Sequence, residues 1–292
     1  MARFKLIIRL LRPHQYVKNL FVFLPLFFGM KFLDFKKLFI TCIAFICFSL
    51  VASAVYVFND IYDVEEDKKH PEKRNRPIAS GKISRGEAFG IFWALLLVAI
   101  LLTRLTLPSR VLGVLLIYVV ANLLYTFKLK HIAILDITVI AFGFVLRLFA
   151  GALTGNIVLS HWIILMTFLL ALFLALAKRR ADLLVFLTDG KILRKSIEGY
   201  NLTFVDTAMS IMAAVIIVSY VLYTVSAEVI RRFHTDNLYG TTFFVILGVL
   251  RYLQITFVKE ESGSPTRILL HDRFLQGIVI SWLILFGLII YR

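Results

Sequence analysis

The stretch Asn59-Asp60-Ile61-Tyr62-Asp63-Val64-Glu65-Glu66-Asp67 closes a long apolar run with a burst of acid, in a chain that carries 33 Lys+Arg against 18 Asp+Glu. At about 100° per residue, Asp60, Asp63 and Asp67 fall within roughly 60° of one another on a helix, with Asn59 beside Asp63 and Glu65 on the other side. Carboxylates that close repel one another unless a cation sits among them. Hard oxygen ligands on a short arc suit Mg²⁺, which takes one or two carboxylates directly and keeps positions for phosphate oxygens. A solvated acidic helix end is the bland alternative. It is disfavoured because the triad directly abuts an apolar segment of spanning length.

Outward from this stretch, the composition is that of a polytopic membrane protein: 292 residues, 60% hydrophobic, 14% aromatic, with 27 Phe. Apolar segments of about spanning length fall near 16–32, 38–59, 87–106, 110–127, 132–153, 161–177, 204–227, 238–257 and 273–291, which predicts an all-α chain of about nine transmembrane helices. The chain reads as one integral domain, residues 1–292. Residues 1–15 are expected to form a basic amphipathic helix on the membrane surface, with Arg3, Lys5, Arg9 and Arg12 alternating with Phe4, Leu6, Ile7, Ile8, Leu10 and Leu11. A signal peptide is the rival reading, and the following stretch 21–30 has no small-residue cleavage site. The net charge of +15 lies in short loops between apolar runs, so a lipid bilayer and anionic substrates are the expected partners and nucleic acid is not. Cys42 and Cys47 share one apolar run and read as packing residues, and the six histidines form no metal-binding spacing.

Loop charge predicts orientation. Lys68, Lys69, Lys73, Arg74, Arg76, Lys82 and Arg85 follow the second apolar segment, Lys128 and Lys130 the fourth, and Lys178, Arg179, Arg180, Lys191, Arg194 and Lys195 the sixth. The intervening loops hold far fewer. The positive-inside bias therefore places the N-terminus and the loops 60–86 and 178–203 in the cytoplasm, with the C-terminus outside, in a cell (inner or plasma) membrane.

Beyond the acidic stretch, Ser84 with Glu87 three residues later predicts a capping box opening the third span. Pro77 holds Arg76 extended and Gly81 permits a turn, so Lys73, Arg74 and Arg76 are expected to fold back over the carboxylates. Acid, cation and arginine in one pocket suit a diphosphate. In the fifth span Asp136 and Arg147 stand eleven residues apart, close to three whole turns, and are expected to face the protein interior. For Arg147 a structural link to another helix is an equal alternative. Asn122 and Tyr125 are weaker polar signals at the end of the fourth span. After the sixth span, Asp182 lies one turn beyond Lys178 and is within pairing reach of it.

The run Asn59-Asp60-x-x-Asp63-x-x-x-Asp67, followed by Arg76-Pro77-Ile78-Ala79-Ser80-Gly81-Lys82-Ile83-Ser84, resembles the first signature of the UbiA superfamily of intramembrane prenyltransferases. The resemblance extends to Arg12-Pro13-x-Gln15-x-Val17-Lys18-Asn19 and to Leu135-Asp136 through Arg147 to Gly151. It implies nine helices around a lipid-facing cavity. Ordinary members carry a second Asp-x-x-x-Asp pair after the sixth span, whereas here Phe186 stands four residues after Asp182. Lys178-Arg179-x-Ala181-Asp182-Leu183, with Arg194-Lys195-Ser196-x-Glu198-x-Tyr200 beyond, is instead similar to the decaprenyl-phosphate 5-phosphoribosyltransferase branch. That branch implies phosphoribosyl pyrophosphate as donor, a polyprenyl phosphate as acceptor and Mg²⁺ as cofactor.

Carried onto this sequence, the resemblance implies Asp60, Asp63 and Asp67 as metal ligands, with Asp60, Asp63 and Lys178 catalytic. It implies substrate contacts from Lys18, Asn59, Lys73, Arg74, Arg76, Tyr125, Arg147, Lys178, Arg179, Asp182, Glu198 and Tyr200. Two other functions stay open on sequence alone. A prenyltransferase with an aromatic or quinone acceptor keeps the first motif but wants the second acid pair. A transporter explains the spans and Arg147, but gives no reason for three acids beside an Arg-Pro loop.

Overall fold

The computed structural model describes residues 2–69, 73–190, 195–260 and 263–292, and among them helix is the only regular secondary structure. A bilayer offers no partner for backbone N–H and C=O groups, so a helix, which satisfies them internally, is what these apolar runs adopt. Among the described residues, eight helical stretches are long and apolar enough to cross a membrane: α3 (Phe35–Tyr62), α5 (Arg85–Thr106), α6 (Ser109–Phe127), α7 (Leu135–Gly155), α8 (His161–Asp189), α9 (Leu202–Val225), the stretch Asn237–Phe257 containing α11 (Thr242–Phe257), and α13 (Arg273–Ile290). Short helices complete the chain: α1 (Ala2–Leu11), α2 (Leu24–Phe28), α4 (Val64–Lys69), α10 (Ala227–Phe233) and α12 (Pro265–His271).

The expected first span, 16–32, takes a different form. Pro13–Phe23 is a 3-10 helix that runs into the five-residue α2. Pro13 and Pro25 each lack an N–H, and side chains supply polar contacts along the segment: Tyr16 meets the Ser53 hydroxyl at 2.8 Å and Asn19 donates to Ser49 at 2.9 Å. Elsewhere the sequence signals map onto helix ends. Ser84 caps α5 by accepting from the Glu87 N–H, Asn201 caps α9 and Asp272 caps α13.

The chain packs as two compact units, each described by itself. One comprises Met1–Leu129 with Leu146–Leu159. Its centre is α3, which packs on α5, α6, α1 and the 3-10 segment. Small residues on α3, among them Ala44, Ser49, Ala52, Ser53 and Ala54, are buried and let neighbouring backbones approach. Gly151 is the tightest such place, since a Cβ there would overlap the Val22 carbonyl oxygen. On α5, Trp93, Leu97, Leu101 and Leu105 recur every four residues and stay exposed, the stripe that a lipid-facing helix presents.

The other unit comprises Lys130–Val145 with Ser160–Arg292. There α8 packs on α9, and α11 packs on α9 and α13. Leu169, Phe173, Leu176, Met209, Tyr252 and Ile255 form its core. Buried polar links fasten the helices: Trp282 Nε1 donates to the Tyr220 hydroxyl at 2.7 Å, which also meets Thr241 Oγ1 at 2.7 Å.

Gly151→Ala should therefore destabilise the protein by about 1–3 kcal/mol or more, the scale of overpacking. Gly113→Ala, where a Cβ meets nothing within 4 Å, should be neutral or slightly stabilising. Thermal unfolding in one detergent, run on both variants, distinguishes a close-packing requirement from a general loss of glycine.

Candidate functional site

In the first unit Asp60 lies in the last turn of α3 and is 2% exposed. Its Oδ1 accepts from Arg12 Nη2 at 2.5 Å and from Arg76 Nη1 at 3.0 Å. Arg76 Nη1 also donates to Asp67 Oδ2 at 2.6 Å, so one guanidinium bridges two buried carboxylates. Asp60 Oδ2 is buried with no hydrogen-bond partner among the described residues. The reason Arg76 reaches back is local. Gly81 adopts φ +73°, the Ile83 N–H closes onto the Pro77 carbonyl at 3.0 Å, and Ile78 and Ile83 bury beside Leu10, Val57 and Ile61. Arg74 of the same loop is exposed and Lys73 half-buried.

The continuous helix assumed through Asp67 breaks at Asp63. That residue caps α3 with φ −87° and ψ 7°, and α4 begins at Val64. The turn still carries Asp67 round, because the Asp63 N–H donates to Asn59 O at 2.9 Å and the Asp67 N–H to Asp63 O at 2.8 Å. Asp60 and Asp67 thus share a cation, while no cluster of three acids, Cys or His able to hold a metal forms among the described residues. Asn59 Oδ1 accepts from the hydroxyl of Thr126, the residue after the half-buried Tyr125. Glu65 points away as expected, and its exposed carboxylate meets Lys68 and Arg85. The donor set suits a hard divalent cation. The buried Asp60 Oδ2, without a hydrogen-bond partner among the described residues, lacks the partner that such an ion would provide, and Arg76 holds Asp67 beside Asp60.

Arg147, on the part of α7 that belongs to this unit, is 4% exposed. Its Nε donates to Asn19 Oδ1 at 2.9 Å and its Nη2 to the Tyr118 hydroxyl at 3.2 Å. The guanidinium stands 4.8 Å over the Phe48 ring and 5.0 Å over Tyr118, a cation–π cage suited to a charge at that depth. Lys18, one residue before Asn19, is half-buried.

In the second unit Asp136 is the hub. Its Oδ2 accepts from Arg179 Nε at 2.5 Å and Ser196 Oγ at 3.0 Å. Its Oδ1 accepts from the Tyr200 hydroxyl at 2.7 Å and the Ile137 N–H at 2.9 Å. Arg179 also donates to Asp182 Oδ2 at 2.9 Å. Burial, together with the Asp136 carboxylate, pushes the Tyr200 phenol well above its ordinary pKa, so it stays a donor. The neighbouring Arg180 donates to Asp206 at 2.8 Å and to the Thr256 carbonyl at 2.9 Å.

Arg179 is fully buried, with Nε on Asp136 and Nη1 on Asp182, and the Tyr200 hydroxyl donates to Asp136 and accepts from the Ile134 N–H. Asp182 accepts from Arg179 Nη1 at 2.9 Å. Lys178 is half-buried and Glu198 exposed. Lys191 and Arg194 lie outside the described residues. The sequence reading also passed over Arg12 as a site residue. Its signal was there, a base immediately before Pro13 in the matched N-terminal motif.

The UbiA prenyltransferase family model matches residues 21–185. The chain belongs to the UbiA prenyltransferase family. Among its relatives, a decaprenyl-phosphate phosphoribosyltransferase of Mycolicibacterium smegmatis is 32% identical, covering 98% of this chain and 92% of the relative. One of Corynebacterium glutamicum is 33% identical over 97% of this chain and 86% of its own. A UbiA homologue from Archaeoglobus fulgidus, solved bound to GPP and Mg²⁺, superimposes with a TM-score of 0.72 at 18% identity, covering 98% of this chain and 99% of that one. The shared UbiA fold makes this a multi-pass membrane protein.

For this UbiA family member, removing one partner of the buried Asp136–Arg179 pair leaves an uncompensated charge. Asp136→Leu or Arg179→Met alone should cost roughly 3–5 kcal/mol. The double change Asp136→Leu with Arg179→Met should recover much of that loss, and Tyr200→Phe should cost only about 1 kcal/mol. Unfolding midpoints in detergent for the four variants test this, and an additive double variant would show that the pair is not coupled.

Proposed function

We propose that this protein transfers the 5-phosphoribosyl group of phosphoribosyl pyrophosphate to a polyprenyl phosphate of the decaprenyl type, with release of pyrophosphate. One observation carries the reading: similarity to decaprenyl-phosphate phosphoribosyltransferases runs over 97–98% of the chain at 32–33% identity. The basic second motif supports it. A basic stretch with the single acid Asp182, itself met by Arg179, in place of a second acid pair fits an acceptor that brings its own phosphate.

In the reaction, the bond from the ribose anomeric carbon to pyrophosphate breaks, with its electron pair leaving on the pyrophosphate, and a lipid-phosphate oxygen bonds to that carbon. Asp60, Asp63 and Asp67, assisted by Asn59, would hold a divalent cation of the Mg²⁺ type, which would supply charge neutralisation for the leaving group. Arg76, already within hydrogen-bond range of Asp60 and Asp67, clamps diphosphate oxygens, and Lys73 and Arg74 flank it in the same loop. Lys178 contacts a substrate phosphate. Lys18 and Arg147 add positive charge in the first unit, where Tyr125 is a proposed substrate contact; Asp182 and Glu198 are proposed substrate contacts of the second unit. No strong general base is required, because a phosphate monoester is already ionised near neutral pH. Residues 1–292 act as one integral domain in the cell membrane, with the N-terminus and the loops 60–86 and 178–203 cytoplasmic and the C-terminus outside.

The test is purified protein with phosphoribosyl pyrophosphate, Mg²⁺ and a short polyprenyl phosphate, followed by detection of a phosphoribosylated lipid. Chelation should abolish turnover, and Asp60→Asn should lower it by a factor on the order of 10²–10⁴ while the protein stays folded, since the carboxylate acts mainly on transition-state charge. Prenylation of an aromatic acid without phosphoribosyl transfer would overturn the reading. For orientation, a single cysteine at position 156 in a background lacking Cys42 and Cys47 should react with an impermeant reagent from outside the cell, and one at position 130 should not.

A further inference from the structure

Two guanidiniums share one oxygen of Asp60 while its second oxygen has no partner. A carboxylate and a single arginine would ordinarily pair fork to fork, using both oxygens. Here both arginines crowd Oδ1, which leaves Oδ2 for something else. The arginines are not equivalent. Arg76 also holds Asp67 at 2.6 Å, whereas Asp60 is the carboxylate that Arg12 pairs with.

The backbone at Arg12 is fixed. It takes a left-handed conformation, φ 53° and ψ 57°, at the joint between α1 and the 3-10 segment. Its N–H donates to Ile8 O at 3.2 Å, its carbonyl accepts from the Gln15 N–H at 2.9 Å, and the Leu11 carbonyl accepts from Ser53 Oγ at 2.9 Å. An L-residue is held in this region only where surrounding contacts determine it. The guanidinium lies 5.3 Å over the Tyr56 ring, and the side chain is 20% exposed. The tip is held by the Tyr56 ring and by Asp60 Oδ1, so its position depends on the charge of that carboxylate.

From this geometry we infer that Arg12 is a phosphate-binding residue held in reserve, serving as the counter-ion of Asp60 until a divalent cation takes that carboxylate, and then turning to the diphosphate. The inference rests on the divalent-cation reading of Asp60 given above. A cation on Oδ2 cancels the charge that holds Arg12, so the guanidinium needs a new anion. The diphosphate supplies one beside the same ion. Arg76 keeps Asp67 and stays in place. Arg12 therefore opposes binding of the metal alone and favours binding of metal with diphosphate, two effects of opposite sign.

Binding of Mn²⁺ alone, and of inorganic pyrophosphate at saturating Mn²⁺, should be measured by calorimetry and Mn²⁺ electron paramagnetic resonance on the full chain in detergent. Arg12→Gln should bind Mn²⁺ about tenfold tighter than wild type, as expected when a competing state populated roughly ten to one is removed. The same variant should bind pyrophosphate roughly tenfold more weakly. Arg12→Lys keeps the charge and loses the fork, so it should bind Mn²⁺ as wild type does and pyrophosphate several-fold more weakly; it carries the comparison should Arg12→Gln not elute as a folded species. Weakening of both ligands in the variants would make Arg12 a structural residue and overturn the inference. Unchanged affinities would overturn it while leaving the metal reading intact, and a wild-type protein that binds no Mn²⁺ would overturn both.

Discussion

A carboxylate in the last turn of a membrane helix has two things against it. The low-dielectric surroundings penalise its charge, and the helix C-terminus presents partial negative charge of its own. Asp60 stands in that position at 2% exposure, and much of the first unit is arranged to answer it. Arg12 arrives from the joint after α1, and Arg76 from a loop that folds back through Gly81. The apolar cluster of Leu10, Val57, Ile61, Ile78, Ile83 and Phe92 fastens both approaches to α3. Burial on one side and ion pairing on the other thus depend on each other. Loosening the cluster would separate the charges, and removing the charges would leave a buried acid with no reason to stay ionised.

The second unit applies the same rule to a different end. Asp136 receives four hydrogen bonds, from Arg179, Ser196, Tyr200 and the Ile137 N–H. All its lone-pair positions are engaged, so the group fixes local structure rather than offering itself to a ligand. It pins the 3-10 turn Lys195–Gly199 and the following Tyr200 to the start of α7, where a Cβ on Gly199 would collide with Ala133. The loop that the sequence marks as functional is anchored by this carboxylate.

Local signals were legible in the sequence. The Ser84 cap, the turn at Gly81, the return of Arg76 and the outward Glu65 each depend on residues within about a dozen positions, and each was readable from spacing and residue type. Non-local pairings were not. Nothing in the spacing of Arg12 or Arg179 announces that each closes on an acid more than forty positions away. The inward facing of Asp136 and Arg147 was legible, because ionised groups at that depth are costly to expose, but their partners were not. The segment 16–32 misled for a third reason. Its apolar content is that of a span, but Pro13, Pro25 and the hydrogen-bonding Tyr16 and Asn19 turn it into a 3-10 helix and a short α-helix.

The second motif gains a physical account from the same pairings. The Asp182 carboxylate is already met by the Arg179 guanidinium, which is itself anchored on Asp136. An acid neutralised in this way attracts a further cation weakly, and four residues on, Phe186 packs against the apolar core where a second acid would otherwise stand. The motif is therefore built around arginine more than around metal ligands. Arg179 is anchored on both carboxylates through Nε and Nη1, and Arg180 is tied to Asp206 and the Thr256 carbonyl. Planar guanidiniums with several fixed donors can hold a frame of this kind where a single ammonium would leave carboxylate oxygens unmet. A loop end whose acids are already met by arginine suits the proposed phosphorylated acceptor better than a second metal ion.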